Sequence, residues 1–303
     1  MRIGTRGSRL AMAQAEKVCA LLAAKGEQAE PVVVKTSGDV QADRPLYALK
    51  GYGAFVREID DLLLRGEIDA AVHSLKDIPT ERPQGLALAA VLTRESALDV
   101  AITCDGRLLK DLPDGSIVGT SSTRRRALIR RNYPGLQTKD IRGNVDTRLR
   151  KLHDGEYDAI ILAEAGLIRL GIVLQAERLD PYQSVPAANQ GVIAVVARES
   201  SPEMESLQRL NDSDTWLETR VERIITSELD GGCVVPMGAY ARRLNDEIEV
   251  ICEVLSLDGT QQVRVRDTIP VAGYEEHARR IAGRLALAGG RTLAEAARKE
   301  LLR

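Results

Sequence analysis

Short apolar runs alternate along the first 190 residues with segments whose apolar residues recur every three or four positions. Phe55, Ile59, Leu62 and Leu63 form such a stripe within 53–65, which predicts a helix with one face in the core. Strands are predicted over residues 2–5, 31–36, 68–73, 86–92, 99–103, 116–120, 138–143 and 157–163. Further helices are predicted over 9–24, 121–131 and 144–155. This alternation favours an α/β fold with parallel sheets covered by helices.

The last third of the chain has a different pattern. Its predicted elements are, in order, a polar helical region over 203–229, strands over 248–256 and 261–268, and helices over 273–289 and 291–302. Asp258-Gly259 between the two strands is typical of a hairpin turn. We expect these elements to form a separate, smaller α+β domain.

The composition limits the classes of partner. The chain has 303 residues, which is long enough for two or three domains. Its 42 basic and 44 acidic residues leave a net charge of −2, and aromatic residues make up 3%. These values argue against a nucleic-acid-binding surface, so a site for anions must be a local cluster of basic residues.

The sequence shows no targeting or metal-binding pattern. The N-terminal segment lacks the apolar stretch and cleavage site of an export signal, and no window approaches eighteen consecutive apolar residues. The four cysteines form no C-x-x-C pair and there are only three histidines, so we expect no metal site. Unpaired cysteines without a targeting signal favour the reducing cytoplasm.

Arginines follow several predicted strands. They are Arg6, Arg124, Arg125, Arg142 and Arg148. Ligands of open α/β sheets bind beyond the carboxyl ends of the strands, where guanidinium groups and helix-start N–H groups can hold carboxylates. A solvated basic helix face with ion-pair partners is the alternative interpretation, above all for Arg130 and Arg131.

The segment HSLKDIP, residues 73–79, directly follows a predicted strand. Asp77 there could accept hydrogen bonds from cationic N–H groups and stabilise developing positive charge. Lys-Asp before Ile-Pro is also ordinary turn chemistry, so a purely structural turn is the alternative. His73 is expected to pack at the strand end rather than to act in catalysis.

Cys233 follows two glycines in a segment without helical or strand periodicity. Glycines permit unusual backbone angles, so the thiol could project from a loop as a nucleophile or attachment point. Most unpaired cysteines are inert small apolar residues, which is the expectation for Cys19, Cys104 and Cys252 and the alternative for Cys233.

Nine segments together resemble the porphobilinogen deaminase family along nearly the whole chain. They are GTRGSRLA (4–11), TSGD (36–39), GAFVREID (53–60), AVHSLKDIP (71–79), VGTSSTRR (118–125), IRGNVDTRL (141–149), YDAIILAEAGLIRLG (157–171), QGVIAV (190–195) and GGCVVPMG (231–238). Each alone is weak evidence, but their shared order and spacing are specific.

The resemblance implies three domains. Two α/β domains are similar to the halves of type II periplasmic binding proteins, with the active site in the cleft between them. The expected boundaries are 1–95 with 190–210 for domain 1, 96–189 for domain 2, and 211–303 for a C-terminal α+β domain that carries Cys233.

The resemblance also implies a reaction. The family joins four porphobilinogen molecules head to tail into hydroxymethylbilane, with loss of ammonia at each addition. A dipyrromethane cofactor, one per chain, primes the reaction through a thioether to the position of Cys233. Asp77 matches the catalytic aspartate, which stabilises positive charge on pyrrole nitrogens. A monomer that binds neither nucleic acid nor membrane is the family expectation.

Further residues match the family's binding positions. Those around the cofactor are Ser74, Lys76, Asp39, Ser122, Arg124 and Arg125. Those that bind the substrate or the growing chain are Arg6, Ser8, Gln14, Phe55, Arg142, Arg148, Arg169 and Gln190.

The sequence departs from the family pattern at a few positions. Tyr52 stands where many members have a lysine in the loop that covers the cleft, and Lys50 could replace it. Asp146, Glu164 and Asn189 replace small or neutral residues. The alternative function is a two-lobed protein that binds small carboxylates without catalysis, in which Asp77 and Cys233 have no purpose.

Overall fold

The computed structural model describes residues 1–36, 56–80, 82–229 and 234–301. Between residues 1 and 96 the elements are β1 (Arg2–Arg6), α1 (Arg9–Ala23), β2 (Glu30–Val34), α2 (Arg57–Leu64), β3 (Ala70–Ser74) and β4 (Leu86–Val91). Between 97 and 189 they are β5 (Asp99–Thr103), β6 (Ile117–Gly119), α3 (Thr123–Asn132), β7 (Gln137–Lys139), α4 (Val145–His153), β8 (Ala159–Ala163), α5 (Glu164–Arg169) and β9 (Glu177–Arg178).

The remaining elements belong to the last third of the chain. They are β10 (Ile193–Arg198), α6 (Met204–Gln208), α7 (Ser213–Glu228), β11 (Met237–Leu244), β12 (Glu247–Leu255), β13 (Gln262–Pro270), α8 (Tyr274–Leu285) and α9 (Arg291–Leu301). Most predicted elements are confirmed within a few residues. The helical region predicted over 203–229 is two helices, because the Asp212 side chain accepts a hydrogen bond from the Thr215 N–H and starts a new helix there.

The described chain divides into two compact units. Unit 1 comprises Met1–Ser96, Ala165–Ile172 and Gln190–Trp216, and unit 2 comprises Ala97–Glu164, Val173–Asn189 and Leu217–Arg303. No helix of the described ranges is long and apolar enough to cross a membrane.

Unit 1 is built on a five-stranded sheet of order β2-β1-β3-β10-β4. Side chains of β3 alternate between its two faces, as expected for a strand buried on both sides. Ala70 and Val72 pack with Val18 and Leu22 of α1, whereas Ala71 packs with the opposite core, which includes Leu63 of α2. The apolar stripe predicted for α2 is therefore confirmed for its described part.

Unit 2 contains two sheets. The first has the order β7-β6-β8-β5-β9, and the second is the antiparallel sheet β11-β12-β13. Helices α7, α8 and α9 share one core with the second sheet, through residues such as Ile225, Ile281 and Leu293. The molecule is thus a mixed α/β protein whose C-terminal part has the predicted α+β character.

The expectation of parallel sheets is wrong in one respect, because each five-stranded sheet is mixed. β10 runs antiparallel to both β3 and β4, between which it is inserted. β5 runs antiparallel to β8 and to β9. A local sequence pattern fixes the type of an element but not its direction within a sheet, which depends on the path of the connecting chain.

The hairpin turn after β12 contacts α3 closely. Gly259 has a φ of +76°, and a Cβ placed on it would lie 2.5 Å from the Ala127 carbonyl oxygen. The Arg130 side chain donates to the Leu257 carbonyl at 2.9 Å and Arg131 donates to the Gly259 carbonyl at 3.4 Å. Gly259 therefore serves two needs, a left-handed backbone and close approach to a helix.

We predict that Gly259→Ala destabilises the protein by about 2–4 kcal/mol, because left-handed strain adds to overpacking against α3. Gly155→Ala is the matched control, since Gly155 also has a φ of +76° but has nothing within 4 Å of its Cβ position. It should cost only about 1–2 kcal/mol. Urea unfolding followed by circular dichroism measures both values. Equal losses of unfolding free energy in the two variants would show that contact with α3 adds nothing to the cost of Gly259→Ala.

Candidate active site

A candidate site of unit 1 lies where β1 and β3 end. A small cavity of about 60 Å³ opens there, and its polar lining includes Arg6, Ser8, Gln14, His73, Ser74 and Asp77. Gln14, 3% exposed, donates from Nε2 to the Ser74 hydroxyl at 2.9 Å. Ser8 caps α1 by accepting a hydrogen bond from the Ala11 N–H. The structure thus brings together four residues predicted from unit 1 for binding, beside the predicted catalytic aspartate.

Asp77 ends a single 3₁₀ turn that directly follows β3. Buried Leu75 anchors this turn in the core, while Asp77 is exposed. Within the described ranges, its carboxylate makes no hydrogen bond or ion pair. The segment is therefore a turn that presents an unengaged carboxylate to the cavity, and the catalytic role of Asp77 stays a prediction.

Lys76 and Gln190 form the second polar pair of unit 1. The Lys76 ammonium group donates to Gln190 Oε1 at 3.1 Å. The Gln190 side chain is fully buried, and the main-chain carbonyl of Gln190 accepts a hydrogen bond from Arg94. Lys76 and Gln190, which are 114 positions apart in the sequence, are therefore held at one place.

His73 is packed at the end of β3, as predicted. It is 6% exposed and its Nε2 atom is buried without a hydrogen-bond partner in the described chain. Burial, together with the positive charges of Arg82 and Arg6, lowers the pKa of His73 from 6.5 to about 3. The imidazole is therefore neutral near pH 7.

Arg169, a predicted substrate-binding residue, is bound to protein groups in unit 1. Its Nε lies 2.5 Å from a Glu95 carboxylate oxygen and it donates to the Gly191 carbonyl at 2.8 Å. The other Glu95 oxygen accepts a hydrogen bond from Lys17 at 2.6 Å. Glu95 was not predicted, because an acid in a loop gives no local sign of a partner 74 positions away.

Unit 2 contains a cluster of arginines. Arg124 and Arg125 lie in the first turn of α3, which the Ser122 hydroxyl caps. Both side chains bind the buried carboxylate of Asp99, Arg124 at 2.7 Å and Arg125 at 2.7 Å from opposite oxygens. Arg124 also donates to the Val185 carbonyl, and Arg125 to the Ile161 carbonyl. These guanidinium groups are therefore fixed in orientation.

Asp99 is a residue of this cluster that was not predicted. It is 1% exposed and is the first residue of β5. The signal that could have found it is a charged residue at the start of an otherwise apolar strand, DVAIT, since buried acids need a cationic partner.

Arg142 and Arg148 extend the positive region beyond Asp99. Arg148 donates to the Gly143 carbonyl at 2.8 Å and is half-buried. Partial removal from water, with repulsion by Arg125 and Arg142, lowers the pKa of Arg148 from 12.5 to about 10. Because the positive charges of these neighbouring arginines repel one another, binding of an anion at the cluster is favourable.

Two of the departures from the family pattern have a structural explanation. Glu164 forms an ion pair with Arg178 at 2.6 Å. Asn189 has a φ of 64°, a conformation that asparagine tolerates better than most residues, and its N–H donates to the buried Glu222 carboxylate. Asp146 lies in the first turn of α4.

The predicted residues Asp39, Phe55 and Cys233, with Lys50 and Tyr52, lie outside the described residues.

Two family models match the chain in succession. "Porphobilinogen deaminase, dipyromethane cofactor binding domain" matches residues 1–206, and "Porphobilinogen deaminase, C-terminal domain" matches residues 216–287. Among solved structures, an ancestral cationic amino acid solute binding protein is similar over 69% of this chain and 87% of its own, with a TM-score of 0.43 and 14% identity.

Curated relatives match over almost their whole length. A "Probable porphobilinogen deaminase" of Methanocella arvoryzae is 72% identical over 99% of both chains. One of Methanosarcina acetivorans is 50% identical over 100% of this chain and 96% of its own. A "Porphobilinogen deaminase" of Trichlorobacter lovleyi is 41% identical over 97% of this chain and 96% of its own.

Protonation of His73 is predicted to destabilise the folded protein in acid. Between pH 6.5 and about 3 the unfolded chain binds a proton that the folded protein does not. The free energy of unfolding therefore falls as the pH decreases through this range, by up to about 1.4 kcal/mol per pH unit from this group.

The variant His73→Gln should show a shallower loss of stability in urea unfolding between about pH 7 and 5. His153→Gln, which removes an exposed histidine, is the control and should keep the wild-type slope. The same slope in all three proteins would mean that His73 is not held neutral.

Proposed function

The chain belongs to the porphobilinogen deaminase family, and we propose that Asp77, Cys233 and the arginines of unit 2 perform that family's reaction in this protein. The protein is a transferase of tetrapyrrole synthesis that joins four porphobilinogen molecules into hydroxymethylbilane with loss of ammonia. The observation that carries this conclusion is the match to the dipyrromethane cofactor-binding domain over residues 1–206.

The described residues suit both the cofactor and the substrate. Porphobilinogen and the dipyrromethane made from it carry acetate and propionate groups, whose negative charges are complementary to the cluster of Arg125, Arg142 and Arg148. Their pyrrole N–H groups need acceptors, and Asp77 provides an exposed carboxylate that binds no described group. When bound through Cys233, the dipyrromethane supplies the pyrrole carbon at which the chain grows.

Asp77 is the proposed catalytic residue. Positive charge develops on pyrrole nitrogen when ammonia leaves and when the new carbon–carbon bond forms. A carboxylate that accepts the N–H hydrogen bond stabilises that charge, and this stabilisation is greater in the transition state than in the ground state. The turn after β3 places Asp77 at the lining of the cavity, where its carboxylate can meet a ligand.

The remaining roles divide between cofactor and substrate. We assign Ser74, Lys76, Asp39, Ser122, Arg124 and Arg125 to the cofactor. We assign Arg6, Ser8, Gln14, Phe55, Arg142, Arg148, Arg169 and Gln190 to the substrate and the growing chain. The buried ion pairs of Arg124 and Arg125 with Asp99 favour a fixed carboxylate-binding surface.

We also propose the finer features of the protein. They are a three-domain division at 1–95 with 190–210, 96–189 and 211–303, a monomeric state, a cytoplasmic location, and no nucleic-acid partner. The near-neutral net charge of −2 supports the last of these. A carboxylate-binding protein without catalysis is not favoured, because the family match spans nearly the whole chain.

We predict that intact mass spectrometry of the purified protein shows a mass increase equal to one dipyrromethane. The increase should be absent in Cys233→Ser, because a hydroxyl does not replace the thiolate as a nucleophile here. Cys104→Ser, which alters an exposed thiol elsewhere, is the control and should keep the adduct. An inactive, unmodified wild type from cells that make porphobilinogen would refute the proposed function.

Asp77→Asn should retain the fold and lower kcat roughly 10²- to 10³-fold, because the amide keeps the size of the side chain but loses its charge. Asp61→Asn, which alters an exposed acid of α2, is the control and should keep wild-type kcat. Turnover is followed as hydroxymethylbilane formed per mole of adduct-bearing protein. Wild-type kcat in the Asp77 variant would remove its assigned role.

A further inference from the structure

Two arginines of α9 hold the last carbonyl groups of α7. Arg298 donates to the Leu229 carbonyl at 2.8 Å, and Arg291 donates to the Glu228 carbonyl at 3.3 Å. α7 ends at Glu228, and Leu229 is the next residue. Cys233 follows Leu229 by only four positions in the sequence. These contacts therefore lie at the start of the segment that carries the proposed attachment residue.

The end of α7 needs such partners. The last carbonyls of a helix have no N–H partner within the helix, and the helix dipole places partial negative charge on them. α7 has no basic residue in its own last turn. α9 supplies the missing charge from 63 positions away for Arg291 and 69 positions away for Arg298.

The sequence of α9 explains how it reaches this position. Arg291 and Arg298 are seven residues apart, so they lie on one face of the helix. Ala294, three residues after Arg291 and four before Arg298, lies beside these arginines. Ala294 and Leu293 are buried in the same core as Leu229. Leu229 is thus held twice, by its side chain in the core and by its carbonyl group on Arg298.

We propose that α9 fixes the start of the Cys233 segment, and that Arg298, assisted by Arg291, is a positioning residue for cofactor-primed elongation. The inference rests on the function proposed above. In the proposed function every addition takes place on a chain attached to Cys233. Conformational freedom of the backbone before Cys233 would therefore let the reacting pyrrole carbon occupy more positions. Charge-assisted hydrogen bonds from a packed helix reduce that freedom.

The test uses the purified, adduct-bearing full-length protein with Arg298→Ala, Arg298→Lys and the control Lys299→Ala. Lys299 is an exposed residue of the same helix. We expect amide hydrogen exchange in the peptide over 229–237 to increase in Arg298→Ala. We expect kcat to fall about three- to tenfold, less than the full effect of one charged hydrogen bond, because Arg291 still holds the end of α7. KM should change less than about twofold, because Arg298 is not expected to touch substrate.

The other variants separate positioning from general stability. Arg298→Lys should recover part of kcat, since an ammonium group can also donate to the Leu229 carbonyl. Lys299→Ala should match the wild type in exchange and in kcat. If Arg298→Ala does not fold, Arg291→Ala is measured instead. Its amide exchange over 229–237 should also increase and its kcat should also fall, but by less, because its hydrogen bond is longer.

Two outcomes overturn the inference. One is a folded Arg298→Ala protein whose exchange over 229–237 and kcat equal those of Lys299→Ala. The other is faster exchange throughout α7, α8 and α9, which indicates general loss of packing rather than release of one segment. A wild type without adduct contradicts the proposed function instead, and the exchange comparison still decides whether α9 restrains this segment.

Discussion

Asp99 accepts hydrogen bonds from two arginines whose guanidinium groups are almost completely removed from water. Burying three charges is costly, and the arrangement is stable only because one carboxylate is shared and further guanidinium N–H groups reach main-chain carbonyls. The start of α3, the first residue of β5 and the middle of β8 are thereby held together. Removing Asp99 would leave two buried guanidinium groups without a counter-charge, so the geometry of the arginine cluster depends on this residue.

The shared carboxylate also has an electrostatic consequence. One negative charge cannot neutralise two guanidinium groups, so positive charge remains around α3. Arg148, whose pKa is lowered by burial and by repulsion from Arg125 and Arg142, adds to this surplus. This surplus is the property that a binding site for several carboxylates requires. The surroundings of Arg169 in unit 1 are different, because the carboxylate of Glu95 forms ion pairs with both Arg169 and Lys17. The proposed substrate role of Arg169 must therefore coexist with a structural one.

The sequence pattern predicted the elements better than their arrangement. The predicted and the observed bounds of β5 are both Asp99–Thr103, because its apolar run has clear polar boundaries. β10 and β11 were not predicted as strands, since β10 depends on insertion between β3 and β4 and β11 on pairing with β12. The Asp99 and Glu95 ion pairs were missed for the same reason. Their partners are 25 and 74 positions away, and spacing along a chain carries no information about such distances.

The end of β3 shows why a carboxylate, and not the adjacent histidine, suits the proposed chemistry. His73 and Asp77 line the same cavity, but burial and nearby arginines hold His73 as a neutral imidazole. A neutral ring offers a hydrogen bond without the charge that stabilises a developing cation. Asp77 is exposed at the end of a turn anchored by Leu75, so its carboxylate is accessible from the cavity. Within residues 73–77 the two roles therefore fall to different side chains, because the histidine is packed in the strand and the aspartate is exposed at the cavity.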